Sequence, residues 1–168
     1  MSKRKGNNFA TEFWPDFVAY TDGGYIIPKG FGASACVILD KSGKEIYSWS
    51  KVCCNSTNNR QELGAIIHAV LHTPEDSNLL VYSDSRYSIG VLSGEMRGKK
   101  NPDLIAYYKR FVSGRRINVA FRWVPGHAGN KWNEVVDAMC TEAMEEYERR
   151  SNLDDHFRQF CEALDAED

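Results

Sequence analysis

The sequence predicts an α/β domain: a five-stranded mixed sheet, an antiparallel meander followed by parallel strands, flanked by helices and carrying a C-terminal helical extension. Three observations carry that expectation. Residues 17–50 hold three short runs of strand-forming residues joined by short loops, the pattern of a meander. Residues 79–123 alternate strand and helix patterns, which favours parallel pairing through crossovers. A chain of 168 residues, 42% hydrophobic and 26% charged, suits one globular domain and excludes a disordered or fibrous chain.

The elements follow in order. Residues 1–16 are polar, include Lys3-Arg4-Lys5, and are expected to form a mobile N-terminal segment. Phe17 to Thr21 and Gly32 to Leu39 are apolar strand runs, and Glu45 to Ser50 is a third with weaker alternation; the turn residues of Lys41 to Glu45 separate the last two. Leu63, Ile66, Ile67, Val70 and Leu71 recur at helical spacing, and Pro74 stops that helix. Leu79 to Ser83 is a strand, and Ser85 to Leu92 a short helix. Ser93 to Pro102 reads as a loop from its glycines, lysines and proline. Leu104, Tyr108, Phe111 and Val112 restore helical spacing, and Ile117, Val119, Phe121 and Trp123 alternate as a strand. Beyond Pro125 to Gly129, Trp132, Val135, Val136 and Met139 define one helix, and Leu153, Phe157, Phe160, Cys161 and Leu164 a last amphipathic one. The expected domain therefore spans 17–147, with an acidic extension, 148–168, packed upon it.

Charge is unevenly distributed. The formal net charge is −2, yet residues 141–168 hold ten acids and three bases, a net −7, leaving a basic body at +5. A basic body suits nucleic acid, and the acidic extension is expected to lie away from that face. No apolar run is long enough for a membrane span or a signal peptide, so a cytoplasmic location is expected. The five cysteines form no C-x-x-C pair, which suits free thiols in a reducing compartment.

The sharpest feature is the placement of certain acids. Asp22 ends the first strand in "VAYTDGGY", and Asp84 ends the fourth in "LLVYSDSR". An acid beside an apolar strand is costly to desolvate unless paired or metal-bound. Glu62 lies in the first turn of the helix after "STNNRQE", and Asp137 sits among Trp132, Val136 and Met139. Each has an ordinary reading: Asp84 as a helix cap, Glu62 in a capping box with Asn59, Asp137 facing solvent. Together, carboxylates converging at one end of a sheet would repel each other unless a cation sat among them. All-oxygen ligands select hard divalent ions, with Mg²⁺ or Mn²⁺ expected. His68 and His72 lie four residues apart on a helix, but no further ligand completes a zinc site there.

Four segments, "YTDGGY", "TNNRQELGAI", "VYSDSRYSIG" and "WVPGHAGNKWNEVVDAM", resemble in order the four motifs of type 1 ribonuclease H, over about residues 17–144. The resemblance implies a ribonuclease H-like fold and metal-dependent endonucleolytic hydrolysis of the RNA strand of RNA–DNA hybrids. It implies Asp22, Glu62, Asp84 and Asp137 as ligands of two Mg²⁺ ions, with Mn²⁺ as a substitute, and products with 5′-phosphate and 3′-hydroxyl ends. Asp22 would bridge the ions. Asp137 would complete the one that activates water, and Glu62 and Asp84 the one at the leaving oxygen. His127 matches the family's mobile histidine, suited to moving a proton or helping product leave. Glu134 would support the site indirectly, and Asn133 would bond the loop to the helix start. Thr57 would help hold a DNA phosphate, and Asn58 and Asn59 would reach the hybrid's minor groove, where the 2′-hydroxyl marks RNA; N-capping is the alternative role of the two asparagines.

The chain departs from the family pattern in places. "LSGEMRGKKNPDL" stands where many members carry a basic, tryptophan-rich insertion, leaving Arg97, Lys99 and Lys100 for a lesser phosphate contact. Asn55 stands where some relatives place an arginine. A catalytically silent hybrid-binding module and a DNA-processing nuclease on the same fold are the competing readings. The four carboxylates argue against the first, and "TNNRQE" and "GHAG" against the second. A single chain could carry the whole site, so a monomer is expected.

Overall fold

The structure, a computed structural model, describes residues 12–165. Five strands, β1 (Phe17–Ile26), β2 (Phe31–Leu39), β3 (Glu45–Cys54), β4 (Asn78–Ser83) and β5 (Asn118–Trp123), form one sheet in the order β3-β2-β1-β4-β5. β1 to β3 pair antiparallel, while β1–β4 and β4–β5 pair parallel. Four helices accompany them: α1 (Asn58–His72), α2 (Arg86–Ser93), α3 (Pro102–Gly114) and α4 (Lys131–Asp165).

Strand alternation sorts two cores. On β2, Cys36 and Ile38 face α1, meeting Ile66, Ala69 and Val70 together with Ala19, Leu79 and Val81. Ala33, Ala35, Val37 and Leu39 face α4, meeting Val136 and Cys140. β2 is buried at every residue because helices cover both faces, the usual condition for an uninterrupted apolar strand. β1 is central, so its C-terminal half lies at the junction of both layers.

The structure corrects three sequence-based expectations. β1 and β3 are each longer than the apolar runs suggest, because Gly23 to Ile26 on one side and Lys51 to Cys54 on the other continue the ladders opposite Phe31 to Ser34. The N-terminal segment is fastened at its described end: Asp16 N–H donates to Asn78 O (2.8 Å), Asn78 N–H to Asp16 Oδ2 (2.9 Å) and Asn78 Nδ2 to Trp14 O (3.0 Å). Lys3-Arg4-Lys5 lies outside the described residues. The last two expected helices are one, α4, of 35 residues. Its distal part does not pack on the domain: Leu153, Phe157, Phe160 and Leu164 are 54–67% exposed. The last contacts of the helix with the domain are near Tyr147, which packs on Phe31, and Glu148, which pairs with Lys29, with Ser151 and Asn152 beside Phe31 and Cys54.

Candidate active site

Parallel register brings two of the acids together. Tyr20 on β1 is level with Tyr82 on β4, and their rings stack at 4.8 Å with planes 7° apart. Two residues further along each chain stand Asp22 and Asp84, which therefore share one end of the sheet. Glu62 enters from α1. Gly23 makes its approach possible: a Cβ there would lie 2.4 Å from the backbone N of Glu62 and 2.4 Å from the carbonyl carbon of Gln61. Ser34, level with Gly23 on β2, secures the same turn by donating to Gln61 O or Gln61 Oε1, each at 2.8 Å.

Carboxylate oxygens of Asp22, Glu62 and Asp84 all lie within 4.8 Å of one another. Asp22 and Glu62 are buried, at 9% and 5% exposure, and Glu62 Oε2 is buried with no hydrogen-bond partner. Burial, then repulsion from Asp84, pushes Asp22 up to about 7, while burial, then Asp22 and Asp84, pushes Glu62 up to about 9. Burial also raises Asp84. Three facing carboxylates and an orphaned buried oxygen fit a hard divalent cation, which would supply the missing partner and remove the repulsion.

Asp137 reaches the cluster from the first turns of α4, half-exposed, close enough to Asp22 to contribute to its shift. Cys140, one turn on, lies under Asp22 with Sγ 3.6 Å from its carbonyl oxygen. His127 tops the loop before α4, largely exposed, with Nδ1 3.7 Å from Asp137 Oδ2 and φ of +55°. Its neighbour Gly126 abuts Asp84, where a Cβ would lie 2.8 Å from Oδ2.

The ordinary readings of these acids give way to neighbours. Thr57 is the N-cap of α1, accepting from Arg60 N–H at 3.2 Å, so Asn58 and Asn59 open the helix rather than cap it. Glu62 is the fifth residue of α1 and sits in its second turn, not in a capping box. Ser85, not Asp84, caps α2 by accepting from Ser88 N–H at 3.1 Å. Asn58 is exposed and Asn59 partly so, on the rim beside Thr57. Asn133 is buried at the start of α4, where its N–H donates to Asn130 Oδ1, and Glu134 is exposed. Arg97, Lys99 and Lys100 are exposed on the α2–α3 connection. Asn55 takes φ of +53° at the end of β3, a conformation asparagine tolerates. His68 and His72 stack on Trp49 and Tyr47, and burial lowers His68 to about 4.

Two supporting residues escape sequence reasoning. Gly23 is legible only as a glycine inside a strand, which signals close backbone approach. Trp123 donates Nε1–H to Asp84 O at 3.0 Å while Arg86 lies over its ring at 3.7 Å, a pairing set by the β4–β5 register.

Known proteins resemble this chain in sequence and in fold. The family model described as RNase H matches residues 15–145. A ribonuclease HI from Synechocystis is 34% identical, the alignment covering 84% of this chain and 94% of that one. A ribonuclease HI from Campylobacter jejuni is 35% identical over 74% of this chain and 88% of its own. Among solved structures, the N-terminal RNase H domain of a Mycobacterium tuberculosis protein, studied as a fusion with maltose-binding protein, superposes with a TM-score of 0.66, covering 82% of this chain and 99% of that chain at 21% identity. That likeness concerns the fold. Among the described residues, no helix is long and apolar enough to cross a membrane.

Proposed function

The chain belongs to the RNase H family and is an endoribonuclease of RNA–DNA hybrids; we propose that it hydrolyses the RNA strand by a two-metal mechanism, leaving 5′-phosphate and 3′-hydroxyl ends. The observation that carries this reading is the set of three facing carboxylates, Asp22, Glu62 and Asp84, with one buried oxygen of Glu62 left without a partner. When bound, a pair of Mg²⁺ ions, replaceable by Mn²⁺, supplies an activated water and neutralises charge developing on the scissile phosphate.

The chain's own residues do the rest. Asp22, Glu62, Asp84 and Asp137 would hold the ions: Asp22, on central β1, would serve both, Glu62 and Asp84 the one at the leaving oxygen, and Asp137 the one that activates water. The rigid β1–β4 ladder fixes Asp22 and Asp84, and the Gly23 contact fixes Glu62, so the donor set is pre-organised before substrate arrives. His127, exposed on its loop beside Asp137, takes or gives a proton at Nδ1 or Nε2 and helps product leave. Thr57 meets a DNA phosphate at the N-terminus of α1, where the backbone N–H groups favour an anion. Asn58 and Asn59 read the minor groove with neutral amides suited to the 2′-hydroxyl. The site is complete within one chain, and a cytoplasmic location accords with its free thiols.

An end-labelled hybrid, incubated with Mg²⁺ beside duplex DNA and duplex RNA, tests this reading. RNA-strand cleavage confined to the hybrid, with fragments that a 3′-hydroxyl-dependent polymerase extends, is the expected outcome. Cleavage of duplex DNA at a similar rate, or fragments ending in a 3′-phosphate, would refute it.

A further inference from the structure

α4 carries one seam along its whole length. Trp132, Val136, Met139 and Ala143, spaced four, three and four residues, pack the helix on the sheet. Leu153, Phe157, Phe160 and Leu164 repeat that spacing in the same heptad phase, with Glu146 and Arg150 at the seam positions between. The first set is covered by β2 and its neighbours. The second projects past the sheet edge, and its four side chains are 56, 67, 59 and 54% exposed. Contiguous exposed apolar side chains of this size mark an interaction surface. A monomer is the natural expectation only while its own domain covers this stripe.

We propose that the stripe pairs antiparallel with the same stripe of a second copy of this chain, joining two catalytic domains through their α4 extensions. The stripe is complementary to itself. A two-fold axis between Arg158 and Gln159 sets Leu153 opposite Leu164 of the partner subunit and Phe157 opposite Phe160 of the partner subunit. All four seam positions are thereby matched in one register. The flanks agree: Asp154 faces Cys161 of the partner subunit and His156 faces Ala163 of the partner subunit, so no like charges meet. Parallel pairing would instead set Arg150 against Arg150 of the partner subunit and Glu146 against Glu146 of the partner subunit, two like-charge layers next to the apolar ones. The extension as a whole is acidic, with ten acids against three bases over residues 141–168, which disfavours an anionic membrane or a nucleic acid as the occupant of the stripe. Leu153 stands sixteen residues beyond Asp137, about 24 Å along the helix, so pairing leaves the carboxylate site open.

Light scattering on the full chain, from about 1 to 200 µM, tests the pairing over the range where a small interface dissociates. A concentration-dependent dimer is expected. The Phe157→Glu/Phe160→Glu double variant should weaken it at least about tenfold, since two apolar seam positions become charged. Its circular dichroism and its hybrid cleavage per site should stay unchanged, which separates this outcome from any failure of the catalytic reading. Orientation is read from Asp154→Cys in a Cys53→Ser/Cys54→Ser background: oxidation should join the new thiol to Cys161 of the partner subunit, identified by peptide mapping. A wild-type chain that stays monomeric throughout, a dimer indifferent to the double variant, or a disulfide linking the two introduced thiols to each other would each overturn the proposal.

Discussion

Gly23 and Glu62 meet backbone to backbone: a Cβ on the strand residue would stand 2.4 Å from the amide nitrogen of the helix residue. That contact seats the N-terminal turns of α1 on β1 and sets the depth at which the Glu62 carboxylate enters the acidic cluster. Gly23→Ala should therefore push α1 outward. The expected cost is about 1–3 kcal/mol of stability, in the range of other buried overpacking changes, with a loss of activity larger than the loss of folded protein. Thermal melts and cleavage rates per folded molecule, measured on the same preparation, check this.

The metal-free cluster should make stability fall with rising pH. Asp22 and Glu62 are raised to about 7 and about 9, so the folded state holds more protons than the unfolded chain between their ordinary range and those values. The stabilisation is full near the ordinary carboxylate range and is lost as pH rises through about 7 to about 9. In chelator, the melting temperature should decline from pH 5 to pH 9. Excess Mg²⁺ should flatten that decline by binding the ionised cluster. Melting curves in EDTA and in Mg²⁺ across this range make the comparison; parallel curves would contradict it.

Glu62→Gln should stabilise the metal-free protein at pH 8 by about 1–3 kcal/mol, because the amide spares the folded state from taking up a proton at Glu62 or burying its charge beside Asp22 and Asp84. A chain of this size would then melt roughly 3–10 °C higher. The same variant should lose the Mg²⁺-dependent rise in melting temperature, so one pair of melts reads both effects.

Ser34→Ala removes a hydroxyl shared by two oxygens of the buried Gln61. Gln61 O keeps its helix partner, but leaving Gln61 Oε1 without a donor should cost about 1–2 kcal/mol, an unsatisfied-acceptor penalty. Ser34→Val fills the space without restoring the bond and should not recover the loss, whereas Ser34→Thr should recover part. Chemical denaturation of the three variants gives the values.

His127→Ala should slow turnover by about 100-fold or more and leave cleavage measurable, since a positioned acid–base group contributes about 100- to 10,000-fold and the carboxylates remain. Rescue by added imidazole, with a rate rising in its concentration, would mark a proton-transfer role. Slower steady-state turnover with an unchanged single-turnover rate would assign His127 to product release instead.

Much of this architecture was legible in the residues, and the rest was hidden for physical reasons. The acids at strand ends stood out because Asp22 and Asp84 follow apolar runs, where an unpaired charge is expensive. Glu62 was legible as an acid on a helix, but its burial depends on Gly23 and Ser34, which come from two different strands. The union of the last two helices was not legible, because residues 145–152 are largely polar and lack the apolar spacing that marks a helix, although nothing in them breaks one. Helix-forming glutamates and arginines, with Glu146 bonded to Arg149 and Arg150, carry α4 through that stretch. The cap of α1 fell to Thr57 rather than to an asparagine, a choice among three adjacent capping residues that only backbone geometry makes.

Single-turnover cleavage of an RNA–DNA hybrid by wild-type protein and Asp22→Asn, in saturating Mg²⁺, tests the central claim most directly. The substitution preserves shape and removes the charge at the centre of the cluster, so the rate should fall by at least about a thousandfold, as expected when a metal-held transition state loses its central ligand. Folding and hybrid binding should persist. A variant cleaving within about tenfold of wild type would contradict the account, because the carboxylate cluster would then not be where hydrolysis occurs.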